Sequence, residues 1–164
     1  MRDVDTTTTE LTALADAMRR LQQLGASRRV HAALSDATGV DLPQQAVQVL
    51  SALASTMTVA ELARTAHMDI GAVSRQLRLL EDDGFVQKSA SPDHGSVVLV
   101  RITTRGRNVA RKIFEVRNRH LERALEGWPQ TDRRALATLL QRLVDDLQAT
   151  PYTGSGSPVN GGRS

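Results

Sequence analysis

A mainly helical fold with a small strand component, α+β, is predicted by three observations in this 164-residue chain. Aromatic residues make up 2% of it, Phe85, Phe114, Trp128 and Tyr152, so the core must be built from Leu, Val and Ala, which favours helices. Apolar positions recur every three or four residues over most of the length, the period of a helix with one buried face. Between Phe85 and Ile102 that period gives way to β-branched runs on either side of turn residues.

Residues 1–6 read as an unstructured polar lead. Thr7 and Glu10 have the spacing of a capping box, in which hydroxyl and carboxylate each satisfy an orphan amide. Leu11, Leu14, Met18 and Leu21 then share one stripe of a helix ending near Gly25. A second helix spans about Ser27 to Ala37 and closes at Gly39. A third starts after Asp41, with Pro43 in its first turn and Val47, Leu50 and Leu53 inward. Thr58 and Glu61 form another capping box, opening a short helix that buries Val59, Leu62 and Ala63. After His67 and Met68, Asp69 caps a helix with Val73, Leu77 and Leu80 inward and a stop at Gly84. Two short helices joined by so short a turn describe a helix-turn-helix.

Phe85 to Lys88 and Val97 to Ile102 are expected strands, joined through the turn residues Ser89 to Gly95. The hairpin makes the unit a winged helix-turn-helix with a two-stranded wing. A long helix follows, capped by Thr103 or Thr104 and carrying Val109, Ile113 and Val116 to about Gly127. The last helix, capped by Thr131 or Asp132, sets Leu136, Leu139, Leu140, Leu143 and Leu147 on one side. That stripe is wider than a helix pair within one chain needs. With Leu11, Leu14, Met18 and Leu21 it predicts burial against a second copy of the chain. Residues 150–164, rich in Gly, Ser and Pro, read as an unstructured tail. The domain is thus residues 7–149, with a winged core at about 41–104 between dimerisation helices at about 7–37 and 104–149.

The net charge is only +3, yet the isoelectric point is about 10.1, because Lys88 and Lys112 are the only lysines among 21 basic residues. Arg101, Arg105, Arg107, Arg111, Lys112, Arg117, Arg119 and Arg123 are offset over their stretch only by Glu115 and Glu122. Such a local excess is a footprint for an acidic polymer. With no cysteine, disulfides, thiolate catalysis and thiol redox sensing are excluded. No apolar run approaches the roughly 20 residues that span a bilayer, and no signal peptide is visible, so a cytoplasmic protein without membrane contact is expected. His31, His67, His94 and His120 form no metal-ligand spacing. No nucleophile elbow, phosphate loop or dinucleotide fingerprint occurs. The chain is read as a non-enzyme with no metal and no cofactor.

The run TVAELARTAHMDIGAVSRQLRLLEDDGFVQK resembles the helix-turn-helix and first wing strand of the MarR (multiple antibiotic resistance regulator) family. VVLVRITTRGR resembles that family's second wing strand entering the next helix, with Thr103 to Gly106 its most specific part. The resemblance covers about Leu11 to Leu147 and implies a homodimeric transcriptional regulator, usually a repressor. Such a protein binds a palindromic operator in double-stranded DNA and is released by a small aromatic effector. It would work in the bacterial cytoplasm, on the nucleoid.

Carried over residue by residue, the recognition helix would offer Ile70, Gly71, Ala72, Ser74, Arg75, Gln76 and Arg78 to the major groove, with Thr58 contacting DNA from the preceding helix. Arg75 is the expected base reader, and its alternative is an ion pair with Glu81 or Asp82. Lys88, Arg101 and Arg105 would touch phosphates. The family's wing tip commonly carries Asp-x-Arg, but His94 and Ser96 stand there, so weaker or less A·T-dependent binding is expected. Two other readings share this fold. One is a non-specific, chromatin-organising DNA-binding dimer, favoured by the missing wing arginine. The other is a protein-binding anti-regulator, which Glu81, Asp82 and Asp83 would signal if they faced the DNA.

Overall fold

The computed structural model describes residues 3–92, 95 and 97–151. His94, Ser96 and the tail beyond Pro151 lie outside the described residues. The order is α1 (Asp3–Gly25), α2 (Arg28–Thr38), α3 (Gln44–Ala52), β1 (Met57–Thr58), α4 (Val59–Thr65), α5 (Ile70–Asp82), β2 (Val86–Ala90), β3 (Val98–Ile102), α6 (Thr104–Ala124) and α7 (Gln130–Ala149). The chain divides into two compact units, Met1–His120 and Leu121–Ser164.

Caps set most of the boundaries. Ser27 accepts the Val30 amide at 3.4 Å at the head of α2, and Gly39 ends that helix at φ +72°. The Thr58 hydroxyl accepts the Glu61 amide, and the Glu61 carboxylate accepts the Thr58 amide at 2.8 Å, completing the capping box of α4. The Asp69 carboxylate accepts the Ala72 amide at 2.7 Å and opens α5. Past its end, Gly84 turns the chain at φ +73°, a left-handed conformation that needs no side chain. Thr103 caps α6, accepting the Gly106 amide at 3.0 Å.

Three starts differ from expectation. α1 begins at Asp3 instead of Thr7, so the helix takes in most of the expected polar lead. Pro43 is the N-cap of α3 and not part of its first turn. α7 starts behind Pro129 with no side-chain cap, since proline's fixed φ pre-sets the entry that Thr131 or Asp132 was expected to supply.

The sheet has three antiparallel strands in the order β1-β3-β2. The expected hairpin is β2 and β3, in register with Val86 opposite Ile102 and Lys88 opposite Val100. β1 adds Met57 opposite Val100, tying the start of α4 to the wing. In the first unit α3, α4 and α5 close around Val47, Leu50, Leu62, Val73, Leu77 and Leu80. Val86 and Val100 join from the sheet, with Val109 and Ile113 from α6. Among the described residues, Phe85, fully buried, is the only aromatic one in that core. In the second unit Leu136 and Leu143 are half-buried, while Leu139, Leu140, Val144 and Leu147 are exposed.

The Glu61 carboxyl is held below its usual value near 4.5, chiefly by the hydrogen bond from the Thr58 backbone, then by the Thr58 hydroxyl and the Arg64 charge. A carboxylate with a depressed folded-state pKa stabilises above its unfolded value, and that contribution is lost as pH falls through the folded one. Thermal melts should therefore show wild type above Glu61→Gln at neutral pH, the gap closing on acidification below about pH 4.5. A gap that is constant with pH would exclude the ionised capping box.

Candidate nucleic-acid interface

The α5 periodicity splits its side chains between two faces. Val73, Leu77 and Leu80 lock one face into the core. Ile70, Gly71, Arg75 and Arg78 are exposed on the other. Ser74 and Gln76 are half-buried between them, and Gln76 donates to Gln45 of α3 at 3.2 Å. Ala72 does not face outward as expected. It is 5% exposed, beside the core residue Val73.

Arg75 is not paired with Glu81 or Asp82, and no ion pair of Arg75 or Arg78 occurs among the described residues. The Arg75 guanidinium instead folds back over the bare backbone of Gly71, where a Cβ would lie 3.7 Å from Nη1. A cation without an acidic partner, on an exposed helix face, keeps its full charge and planar donor fork for a ligand.

Glu81 has another partner. Its carboxylate accepts from Lys88 Nζ at 2.7 Å and from the Lys88 amide at 3.3 Å. Lys88 was expected as a free phosphate contact, but alternation along β2 sets it on the same inward side as Val86, toward α5, where Glu81 neutralises it. That alternation was the signal for a partner on α5. The pair also turns the first of the three C-terminal acids toward the wing base. Asp82 and Asp83 are exposed.

Two cations beside the wing remain available. Arg101 is exposed on β3 and donates to the uncharged Gln87 amide at 2.9 Å. Arg105 lies 4.9 Å above the Phe85 ring, a cation–π contact that aims the guanidinium without cancelling its charge. Arg107 is exposed, but its guanidinium is engaged locally, donating to the Ile102 carbonyl at 3.0 Å and the Thr104 hydroxyl at 2.9 Å. Thr58 is half-buried in its capping box. His94 and Ser96, at the wing tip, lie outside the described residues. Among the described residues no three His, Asp or Glu side chains gather as a metal site, and no helix is long and apolar enough to cross a membrane.

Fold and site together define a winged helix-turn-helix protein that holds a partly basic helix face clear of its core. Residues 50–95 match the profile of the MarR family. The HTH-type transcriptional repressor Rv2887 of Mycobacterium tuberculosis is 32% identical over 128 residues, covering 77% of this chain and 91% of that protein. The HTH-type transcriptional regulator YdgJ of Bacillus subtilis is 24% identical over 133 residues, 81% of this chain and 80% of that one. The fold matches the crystal structure of a MarR family transcription regulator, SP03579, at a TM-score of 0.71 and 21% identity, covering 90% of this chain and 98% of that one. It also matches Streptococcus pneumoniae FabT in complex with DNA, at a TM-score of 0.62 and 18% identity, over 90% and 99% of the two chains. The chain belongs to the MarR family, whose members are transcriptional regulators and not enzymes.

Proposed function

We propose that this regulator is a homodimeric repressor that binds a palindromic operator in sequence-specific fashion on the nucleoid and is released by a small aromatic acid. The observation that carries sequence-specific binding is Arg75, unpaired and exposed on the N-terminal half of α5. Arginine is the commonest reader of guanine O6 and N7 in the major groove. A homodimer is supported by the exposed Leu11, Leu14 and Leu21 on α1 and Leu139, Leu140 and Leu147 on α7, stripes too apolar to be left in water. The effector class is supported by a cavity of about 180 Å³ in the first unit. Val30, Leu34 and Val47 supply apolar wall, while Arg28 and Arg117 supply donors and charge, a lining that suits an apolar ring bearing a carboxylate; His31 beside them is held by Asp41 at 2.7 Å.

Arg75→Ala should cost about 1–3 kcal/mol on a selected operator and much less on a scrambled duplex. Arg101→Ala and Arg105→Ala should weaken both DNAs alike, each lowering the slope of log affinity against log salt by about one. A salt-titrated binding series reads all three. Equal weakening of both duplexes by Arg75→Ala would favour the non-specific DNA-binding dimer, the reading that the missing wing arginine supports.

A further inference from the structure

Ile70 is the first residue of α5, and at 56% exposure it is a large apolar side chain on an otherwise small or polar outward face. Gly71, also exposed, sits in ordinary helical backbone, where glycine is the least favourable residue short of proline. A Cβ there would stand 3.2 Å from Asp69 Oδ1, the oxygen that caps α5, and 3.7 Å from Arg75 Nη1, so alanine fits once the cap gives by a few tenths of an ångström. Bare backbone between an exposed isoleucine and an uncommitted guanidinium instead suits an object that must come close to the helix.

We infer that Ile70 and Gly71 form a seat for the C5-methyl group of a thymine, beside a guanine taken by Arg75. The inference rests on the DNA-binding function proposed above and adds which base the helix start selects. An isoleucine side chain neither donates nor accepts a hydrogen bond, and of the four bases only thymine presents an apolar group in the major groove. Gly71 lets the base edge approach the helix without a methyl in its way. The Arg75 guanidinium lies over Gly71, the neighbour of Ile70, so the thymine and the guanine should be adjacent base pairs in each half-site.

The test replaces thymine by deoxyuridine, which lacks only the methyl, one position at a time in an operator selected by the full-length protein. Wild type should lose about fourfold in affinity at one thymine per half-site and nothing at the others, the worth of one buried carbon. Ile70→Ala should bind the unmodified operator more weakly by at least that factor and be indifferent to deoxyuridine at the same position. Gly71→Ala should lose tenfold or more in binding while its melting temperature stays within about 3 °C of wild type. Wild type that is indifferent to every deoxyuridine, while Arg75→Ala still weakens the operator selectively, would overturn the thymine seat and leave the proposed function standing. So would a methyl dependence that persists in Ile70→Ala. If no operator is selected at all, the proposed function itself falls, and the seat with it.

Discussion

Gly106→Ala should lower folding stability by about 3–4 kcal/mol and the melting temperature by about 10 °C. A Cβ at Gly106 would lie 2.1 Å from the Phe85 carbonyl oxygen and 2.8 Å from the Ile102 side chain. Backbone is what stands in the way, so no rotamer relieves the clash. The Phe85 carbonyl cannot retreat freely, because it accepts the Thr103 amide at 3.0 Å and lies 3.1 Å from the Thr103 hydroxyl. Moving it breaks the link between wing and α6 and leaves buried groups unsatisfied. Gly25→Ala is the control. Nothing lies within 4 Å of a Cβ there, so stability should hold or rise slightly. A Gly106→Ala protein melting within 2 °C of wild type would show that the junction yields.

Leu140→Asp should turn a dimer at micromolar concentration into a monomer, raising the dissociation constant by about a thousandfold or more. A symmetric interface would bury the new charge twice, without a partner each time. Leu140 is already 44% exposed in the single chain, so an aspartate costs the isolated subunit little and the loss must fall on association. Leu143→Asp should act likewise, whereas Arg142→Ala, removing only the exposed pair with Asp146, should leave the dimer intact. Sedimentation of the unmodified protein as a monomer at those concentrations would remove the basis for both expectations.

The turn chemistry of the winged core was readable in the sequence because it is local. Thr58 with Glu61, Asp69 with Ala72, and Gly84 each act through neighbours a few residues away, and all stand where their spacing put them. Thr103 and Gly106 were legible as a junction, but the Phe85 carbonyl that makes the glycine necessary was not, since it comes from another element. β1 went unread for a different reason. Two residues have no alternation to detect, and Met57 and Thr58 become a strand only because β3 offers its edge.

The recognition face shows the same division. Exposure of Ile70, Arg75 and Arg78 follows from the period of the α5 core stripe, whereas Ala72 lies at the border of that stripe, where the period alone does not decide the side. Lys88 looked free because charge counting along the chain does not see Glu81 across the turn at Gly84. The start of α1 was misplaced by a spacing, Thr7 to Glu10, that matches a cap but lies inside a longer helix.

The joint at the Phe85 carbonyl has a mechanical consequence. One oxygen holds the entry to α6 through Thr103, its ring carries Arg105 from above, and Gly106 leaves no gap beneath. Such a joint has no slack and no hinge, so wing and helix turn together as one lever. Arg117, on the wall of the small cavity, lies 13 residues along α6 from Thr104, an arm of about 20 Å. Over that length a rotation of about 3° moves the far end by about 1 Å, the scale at which a hydrogen bond to a phosphate is made or lost. A ligand that tilts the helix by so little would silence the wing without unfolding anything.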